Sequence, residues 1–367
     1  HTHSPIPPVD TTATMSATSL NLSITKEVLE KVLVLGSGNF GTCLADHLAS
    51  LRHDVTIWCR TKEAADSINN DHKNLKYLKD VTLLPNISAC CELTKEVVAA
   101  HNVILLSIPT QHMRSILTQI APFITSEHLV VCVNKGIEIS TRQLPSTIAK
   151  EVLGKEIGSC VVFLSGPSFA VEVVRRQVTC VTAASESLDH AHRCQHIFHA
   201  PYFRVYTSTD AVGVEVAGAL KNVIAIAAGI SFGLGVEQNG RAALITRGLY
   251  EITAVGMALG ASAPTFLGLS GVGDLFLTCQ SEKSRNFTVG MRLGRGESLQ
   301  TIVDTLGSVA EGVKTAEAAY HLVQGLKLDL PIITMMYRML FEGVGIKEGA
   351  VNLLNLEARH EFTGIVD

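Results

Sequence analysis

Lys31-Val-Leu-Val-Leu-Gly-Ser-Gly-Asn-Phe-Gly41, continued by Thr-Cys-Leu-Ala-Asp-His-Leu-Ala, decides how the rest of the chain is read. A short apolar run containing β-branched Val32 and Val34 passes directly into a glycine turn. The turn then opens a stretch with helical spacing, so the order is strand, turn, helix. A bare G-x-G-x-x-G says little; this one has the flanking strand and helix that the pattern requires. In that setting Gly36 makes the tight turn, Gly38 lets backbone approach a pyrophosphate, and Gly41 lets helix and strand pack closely. The helix N-terminus adds N–H groups and the positive end of its dipole. A dinucleotide is therefore the ligand expected here.

Further strands follow with helical patterns between them: residues 54–59, 102–108 (ended by Pro109), 128–133, 159–164 and 178–182. Alternating strand and helix implies a parallel, doubly wound sheet. Beyond Asp210 the character changes to long apolar helical segments broken by glycine turns such as Gly268-Leu-Ser-Gly-Val-Gly273. The expected architecture is α/β, an N-terminal Rossmann-type doubly wound sheet followed by an all-helical C-terminal domain. Its expected divisions are a disordered extension at 1–27, a dinucleotide-binding domain at 28–209 and a helical substrate domain at 210–360. Residues 212–230 are long and apolar enough to suggest a membrane span, but Glu215, Lys221 and Asn222 near the middle would be costly in a bilayer. A buried helix is the expectation.

Composition narrows the classes. Of 367 residues, 47% are hydrophobic and 17% charged, which supports a large core and argues against general disorder. The formal net charge of -4 lacks the basic face of a duplex-binding protein. The nine cysteines are scattered without C-x-x-C spacing, so a disulfide framework or thiolate zinc site is not expected and a reducing compartment is. The first residues carry Pro, Ser and Thr without the basic and apolar regions of a secretory signal. His190, His192, His196 and His199 resemble a metal cluster, but no completing set of ligands accompanies them, and a solvated helix face is expected. No metal is predicted.

Lysines stand where lysines are expensive. Lys221 lies in the apolar run Gly218-Ala-Leu-Lys-Asn-Val-Ile-Ala-Ile-Ala-Ala228, so it must be paired or have a lowered pKa, which is what an acid/base near neutrality needs. Asn222 beside it is a neutral hydrogen-bonding group. Lys135 follows directly on a buried strand, at the carboxyl end where doubly wound folds hold ligands. Asp274, glycine-flanked in an apolar segment, suits the role of holding Lys221 in register. Ser284, Arg285 and Asn286 combine a forked cation with neutral donors, a set matched to a phosphate. At the end of the second strand, where a carboxylate usually meets the ribose of NAD, stands Arg60; it favours a 2′-phosphate and hence NADP(H), with NAD(H) still usable.

Gly36-Ser-Gly-Asn-Phe-Gly, Asn134-Lys-Gly, Gly166-Pro-Ser-Phe-Ala170, Leu220-Lys-Asn222, Gly273-Asp274, Ser284-Arg-Asn-Phe287 and Ala310-Glu-Gly312 occur in this order. Together they resemble the NAD(P)-dependent sn-glycerol-3-phosphate dehydrogenases, with bacterial-type features, from about residue 31 to 355. The resemblance implies reversible hydride transfer between nicotinamide and C2 of dihydroxyacetone phosphate or sn-glycerol 3-phosphate, a reaction serving glycerolipid synthesis and redox balance. It implies that Lys221 is the proton acceptor and that Lys135 meets both substrate and nicotinamide. Asp274, Asn222, Ser284, Arg285 and Asn286 would bind substrate, with Gly166 and Ser168 nearby. Besides the glycine turn, Asn39, Phe40, Arg60, Ala170, Arg285, Val309 and Glu311 would contact the cofactor. The resemblance further implies a cytoplasmic homodimer with no nucleic-acid or membrane partner; the extension at 1–27 lies outside the family's pattern and admits an organelle. Readings kept beside it are a β-hydroxyacid, ketopantoate or sugar-phosphate dehydrogenase, and a non-catalytic dinucleotide sensor.

Overall fold

The computed structural model describes residues 29–306, 310–357 and 360–361. The expectations for residues 1–27 and for Val309 lie outside the described residues. Ten strands are β1 (Lys31–Leu35), β2 (Asp54–Trp58), β3 (Lys73–Asn74), β4 (Leu78–Thr82), β5 (Ile87–Cys90), β6 (Val103–Leu106), β7 (Leu129–Cys132), β8 (Val162–Ser165), β9 (Thr179–Ala184) and β10 (Phe203–Ser208). Eight of them form one sheet in the order β10-β9-β8-β7-β6-β1-β2-β5, and β3 with β4 forms a separate hairpin. Every residue of β6 and β7 is buried, as expected of parallel strands covered on both faces. Apolar side chains of the two faces enter separate clusters, Val32 and Val34 in one and Leu33 and Leu35 in the other.

The sheet departs from the simplest expectation in two ways. β8 and β9 pair antiparallel. The connection between them holds only the short helix Ala170–Val173, not the long crossover helix that usually carries the chain back for a parallel pairing. β5 and β10 extend the sheet at its two edges, and no strand was expected at either. β10 alternates buried and exposed over its first four residues, the pattern of a half-covered edge strand. β5 is a short Ile-Ser-Ala-Cys run whose pairing with β2 makes it a strand. Other strand ends move by a few residues; 155–159, for example, is helical, and β8 starts at Val162.

After β10 the described chain carries helices and no strand. The helix Ala211–Gly233 is long and apolar enough to cross a membrane, yet 94% of its most apolar window is buried inside the protein. Asp210 caps it, accepting from the Gly213 amide at 2.9 Å, and ties it to the turn after the helix Gln238–Ala258 by accepting from the Ser262 amide and the Thr265 hydroxyl. The helix Arg285–Gly294 packs along it at glycine contacts. A Cβ added at Gly290 would sit 1.9 Å from the carbonyl oxygen of Ile226, and one at Gly229 would sit 2.1 Å from that of Phe287. Only glycine allows this approach, and it brings Arg285 to the same region as Lys221.

Candidate active site

The glycine turn follows β1, which lies between β6 and β2. Strand order reverses at this point, and a crevice opens beyond the carboxyl ends of the strands. Gly36 has φ +118°, and an added Cβ would meet the carbonyl oxygen of Ser107 at 2.4 Å. At Gly41 the obstacle would be the carbonyl oxygen of Gly36 at 2.3 Å. At Gly38 nothing lies within 4 Å, so backbone there is open to a ligand. Asn39 begins the helix Asn39–Ser50, and its buried Oδ1 accepts no hydrogen bond from the protein. Phe40 packs against the core. Open backbone and a helix start together fit a dinucleotide phosphate bridge. Arg60 lies just past β2 and is exposed. Ala170 is buried and its carbonyl accepts from the Cys43 thiol.

Lys135, three residues past β7, donates to Asp274 Oδ2 at 2.7 Å. Lys221, from the middle of the buried helix, donates to Asp274 Oδ1 at 2.6 Å and to Thr278 Oγ1 at 2.8 Å. The Thr278 hydroxyl in turn donates to the Asp274 carbonyl, so its oxygen faces the ammonium as an acceptor. One carboxylate thus bridges two ammonium groups, one from each half of the chain. Lys221 is 6% exposed and Asp274 1%. Burial lowers Lys221 to about 8; Asp274 pulls it back up, and Lys135 adds to the lowering. Burial would raise Asp274, but the charges of Lys135 and Lys221 hold it below the ordinary carboxylate range.

Arg285 opens the helix Arg285–Gly294 and is exposed. Ser284 caps that helix, its Oγ accepting from the Phe287 amide at 3.3 Å. Asn286 Oδ1 accepts from the Gly312 amide at 3.0 Å, leaving Nδ2 as a donor. Buried Asn222 lies near, since a Cβ on Gly312 would meet both its carbonyl oxygen and Asn286 Oδ1. Glu311 Oε1 accepts from the Thr110 amide at 3.3 Å. Burial raises Glu311, opposed by that bond and by the charges of Arg285 and Lys135. Gly166, with φ +147°, lies against Val181, and the Ser168 hydroxyl donates to the Gly166 carbonyl.

Thr278 was not foreseen. Its signal was its position four residues after Asp274, which on the helix Asp274–Cys279 puts both on one face. His192, His196 and His199 are exposed, and His190 bonds to the Ser187 hydroxyl. Among the described residues no group of three or more His, Cys, Asp or Glu could hold a metal ion.

The chain matches two family models. Residues 31–191 match the NAD-dependent glycerol-3-phosphate dehydrogenase N-terminus and 210–350 the C-terminus. It is 43% identical over 335 residues to the glycerol-3-phosphate dehydrogenase [NAD(P)+] of Limosilactobacillus reuteri, covering 90% of this chain and 99% of that one. It is 45% identical to that of Streptococcus thermophilus, covering 90% of this chain and 97% of that one. Among solved structures, glycerol-3-phosphate dehydrogenase from Coxiella burnetii superposes with TM-score 0.85 at 31% identity, covering 89% of this chain and 99% of that one. A ketopantoate reductase from Ralstonia eutropha superposes with TM-score 0.54 at 15% identity, covering 87% of this chain and 99% of that one, which is a likeness of fold alone.

Proposed function

The chain belongs to the NAD-dependent glycerol-3-phosphate dehydrogenase family, and from that premise we propose how its residues divide the work. It is an NAD(P)-dependent oxidoreductase that interconverts dihydroxyacetone phosphate and sn-glycerol 3-phosphate. The observation that carries our assignment is the bridge of Asp274 between Lys135 and Lys221.

Gly36, Gly38, Asn39, Phe40 and Gly41 hold the dinucleotide's phosphates at the helix start, with Arg60 at the ribose end. Ala170 and Glu311 complete the cofactor contacts, and Lys135 and Arg285 reach cofactor and substrate alike. When bound, the reduced nicotinamide supplies the hydride. Lys221, charged below about pH 8, polarises the substrate carbonyl and gives its proton to the alkoxide oxygen; in oxidation the neutral amine takes that proton back. Lys135 adds positive field beside the developing charge. Asp274 keeps Lys221 charged in a site that burial would otherwise discharge. Arg285, the Ser284 hydroxyl and Asn286 Nδ2 receive the phosphate at a helix N-terminus, so binding energy remote from C2 orients C2. Asn222, Gly166 and Ser168 line the substrate's side of the crevice.

We place the division between the dinucleotide half and the substrate half at residue 209, in the short link between β10 and the central helix. We also propose a cytoplasmic homodimer without nucleic-acid or membrane partners. Support for self-association comes from exposed Phe341, Val351, Leu354 and Leu356. Leu354 and Leu356 also line an apolar cavity of about 910 Å3. Mass from sedimentation at equilibrium tests it, and a monomer at micromolar concentration would end that reading.

The test of the assignment follows absorbance of reduced nicotinamide with dihydroxyacetone phosphate as the ketone, for the native chain and Lys221→Met. Turnover dependent on this ketone and lost in a folded Lys221→Met variant is expected. Near-normal turnover in that variant would remove Lys221 from the chemistry.

A further inference from the structure

Three cysteines gather where β2 and β5 end, and the reaction uses none of them. The two strands are parallel, with Trp58 opposite Cys90. The Cys59 amide donates to the Cys90 carbonyl at 2.8 Å, so the ladder runs one residue beyond the strand. The next pair in register is Cys59 and Cys91. Side chains alternate along a strand, which puts this pair on the same face. Neighbouring strands lie about 4.8 Å apart, within the Cα separation of roughly 4.4–6.8 Å that a disulfide spans. Cys59 is fully buried and its thiol donates to the Ile57 carbonyl at 3.9 Å, with Ser37 of the glycine turn close enough to act on it. Cys91 is exposed. Arg60 follows Cys59 directly.

We propose that Cys59 and Cys91 form a thiol–disulfide exchange site for small disulfides of the glutathione class, and that its closure weakens dinucleotide binding. The effect on binding rests on the reading that Ser37's turn and Arg60 hold the cofactor. The exchange takes two steps. Cys91 thiolate attacks one sulfur of the small disulfide and expels the first small thiolate, leaving a mixed disulfide on Cys91. Cys59 then loses its proton and attacks Cys91 Sγ, expelling the second. One disulfide and two protein thiols become one protein disulfide and two small thiols, with two electrons passing from protein to oxidant. Closure ties β2 to β5, withdraws the Cys59 thiol from Ser37 and shifts Arg60. Burial pushes the Cys59 thiol up to about 11, and charge on Cys91 and Cys90 pushes it the same way. Ring closure is therefore slow near neutrality and gains about tenfold per pH unit below that value.

The experiment treats the full chain with oxidised glutathione across pH, maps disulfides by peptide mass spectrometry, and measures NADPH affinity by fluorescence before and after dithiothreitol. A Cys59–Cys91 linked peptide is expected, forming faster at higher pH. NADPH Kd should rise at least about tenfold and return on reduction. Cys91→Ser, altered at an exposed position, should bind NADPH normally and ignore the oxidant. A glutathione adduct that stays on Cys91, a Cys90–Cys91 bond, or a Cys59–Cys91 bond with unchanged affinity would each overturn the proposal. Arg60→Glu is measured in parallel: unchanged NADPH affinity there defeats the cofactor reading, whereas disulfide mapping reports on the exchange site alone.

Discussion

Replacing Asp274 by Asn removes the one negative charge between two ammonium groups and leaves the shape almost unaltered. Asp274 Oδ1 lies 2.6 Å from Lys221 Nζ. At an effective dielectric of about 20, unit charges at that distance attract by about 6 kcal/mol. At about 1.4 kcal/mol per unit, that is an upper limit of about 4 units of pKa. The Asn oxygen and Thr278 Oγ1 still accept from Lys221, which returns part of it, while Lys135 remains and repels. The midpoint for Lys221 should therefore fall from about 8 by at least about 2 units. At pH 7 the charged fraction of Lys221 would drop from about nine-tenths to about one-tenth. Ketone reduction needs the ammonium, so its rate is sustained below the midpoint and lost above it. Alcohol oxidation needs the neutral amine, so its rate rises through the midpoint. Both limbs should move to lower pH in Asp274→Asn, and kcat/KM for reduction at pH 7 should fall at least about tenfold, and about 10³-fold at the upper limit of the shift. The assay is the pH profile of kcat/KM in both directions, with NADPH binding and thermal unfolding as controls for the fold. A uniform loss of rate with the midpoint still near 8 would refute the argument, because Asp274 would then shape the site without setting the charge of Lys221.

Arg60→Glu should reduce kcat/KM with NADPH by about 10–100-fold and spare NADH; an unchanged ratio between the cofactors would return Arg60 to the role of a solvated strand-end residue. Glu215 is buried, accepts from the Ser146 amide at 2.7 Å, and is raised by burial to about 8. The folded chain thus binds a proton there that the unfolded chain has lost between about pH 4.5 and 8, so this group's contribution to stability falls as pH rises, by up to about 1.4 kcal/mol per unit. Urea unfolding of Glu215→Gln should show a variant that gains on the native chain as pH rises through that window; a constant difference would contradict the burial argument. Gly290→Ala forces apart the central helix and the helix bearing Arg285, which should cost about 1–3 kcal/mol in stability and raise KM for dihydroxyacetone phosphate; unchanged melting and KM would show that the two helices yield freely.

The glycine turn after Lys31–Leu35 was legible because its demands are local. A tight turn, open backbone and a helix start are properties of consecutive residues, and Gly36, Gly38 and Gly41 state them in order. The change from alternating elements to helices at Asp210 was legible for the same reason. β5 and β10 were not foreseen, because short edge strands draw their definition from the neighbour they pair with. The antiparallel direction of β9 depends on how the β8–β9 connection folds, with one short helix, as well as on strand propensity.

Lys221 announced itself by cost, as an ammonium inside an apolar run. The sequence by itself therefore determined the alternation of strands and helices before Asp210, the helices after it, the glycine turn and the presence of buried charges that must find partners. It could name Asp274 as a partner for Lys221. It could not show that the same carboxylate also binds Lys135, nor that Thr278 supplies a further acceptor. Those contacts join residues separated by 139, 53 and 57 positions. Only the tertiary structure decided them, because the glycine-packed central helix and the end of β7 must first be brought together before one carboxylate can bridge two lysines.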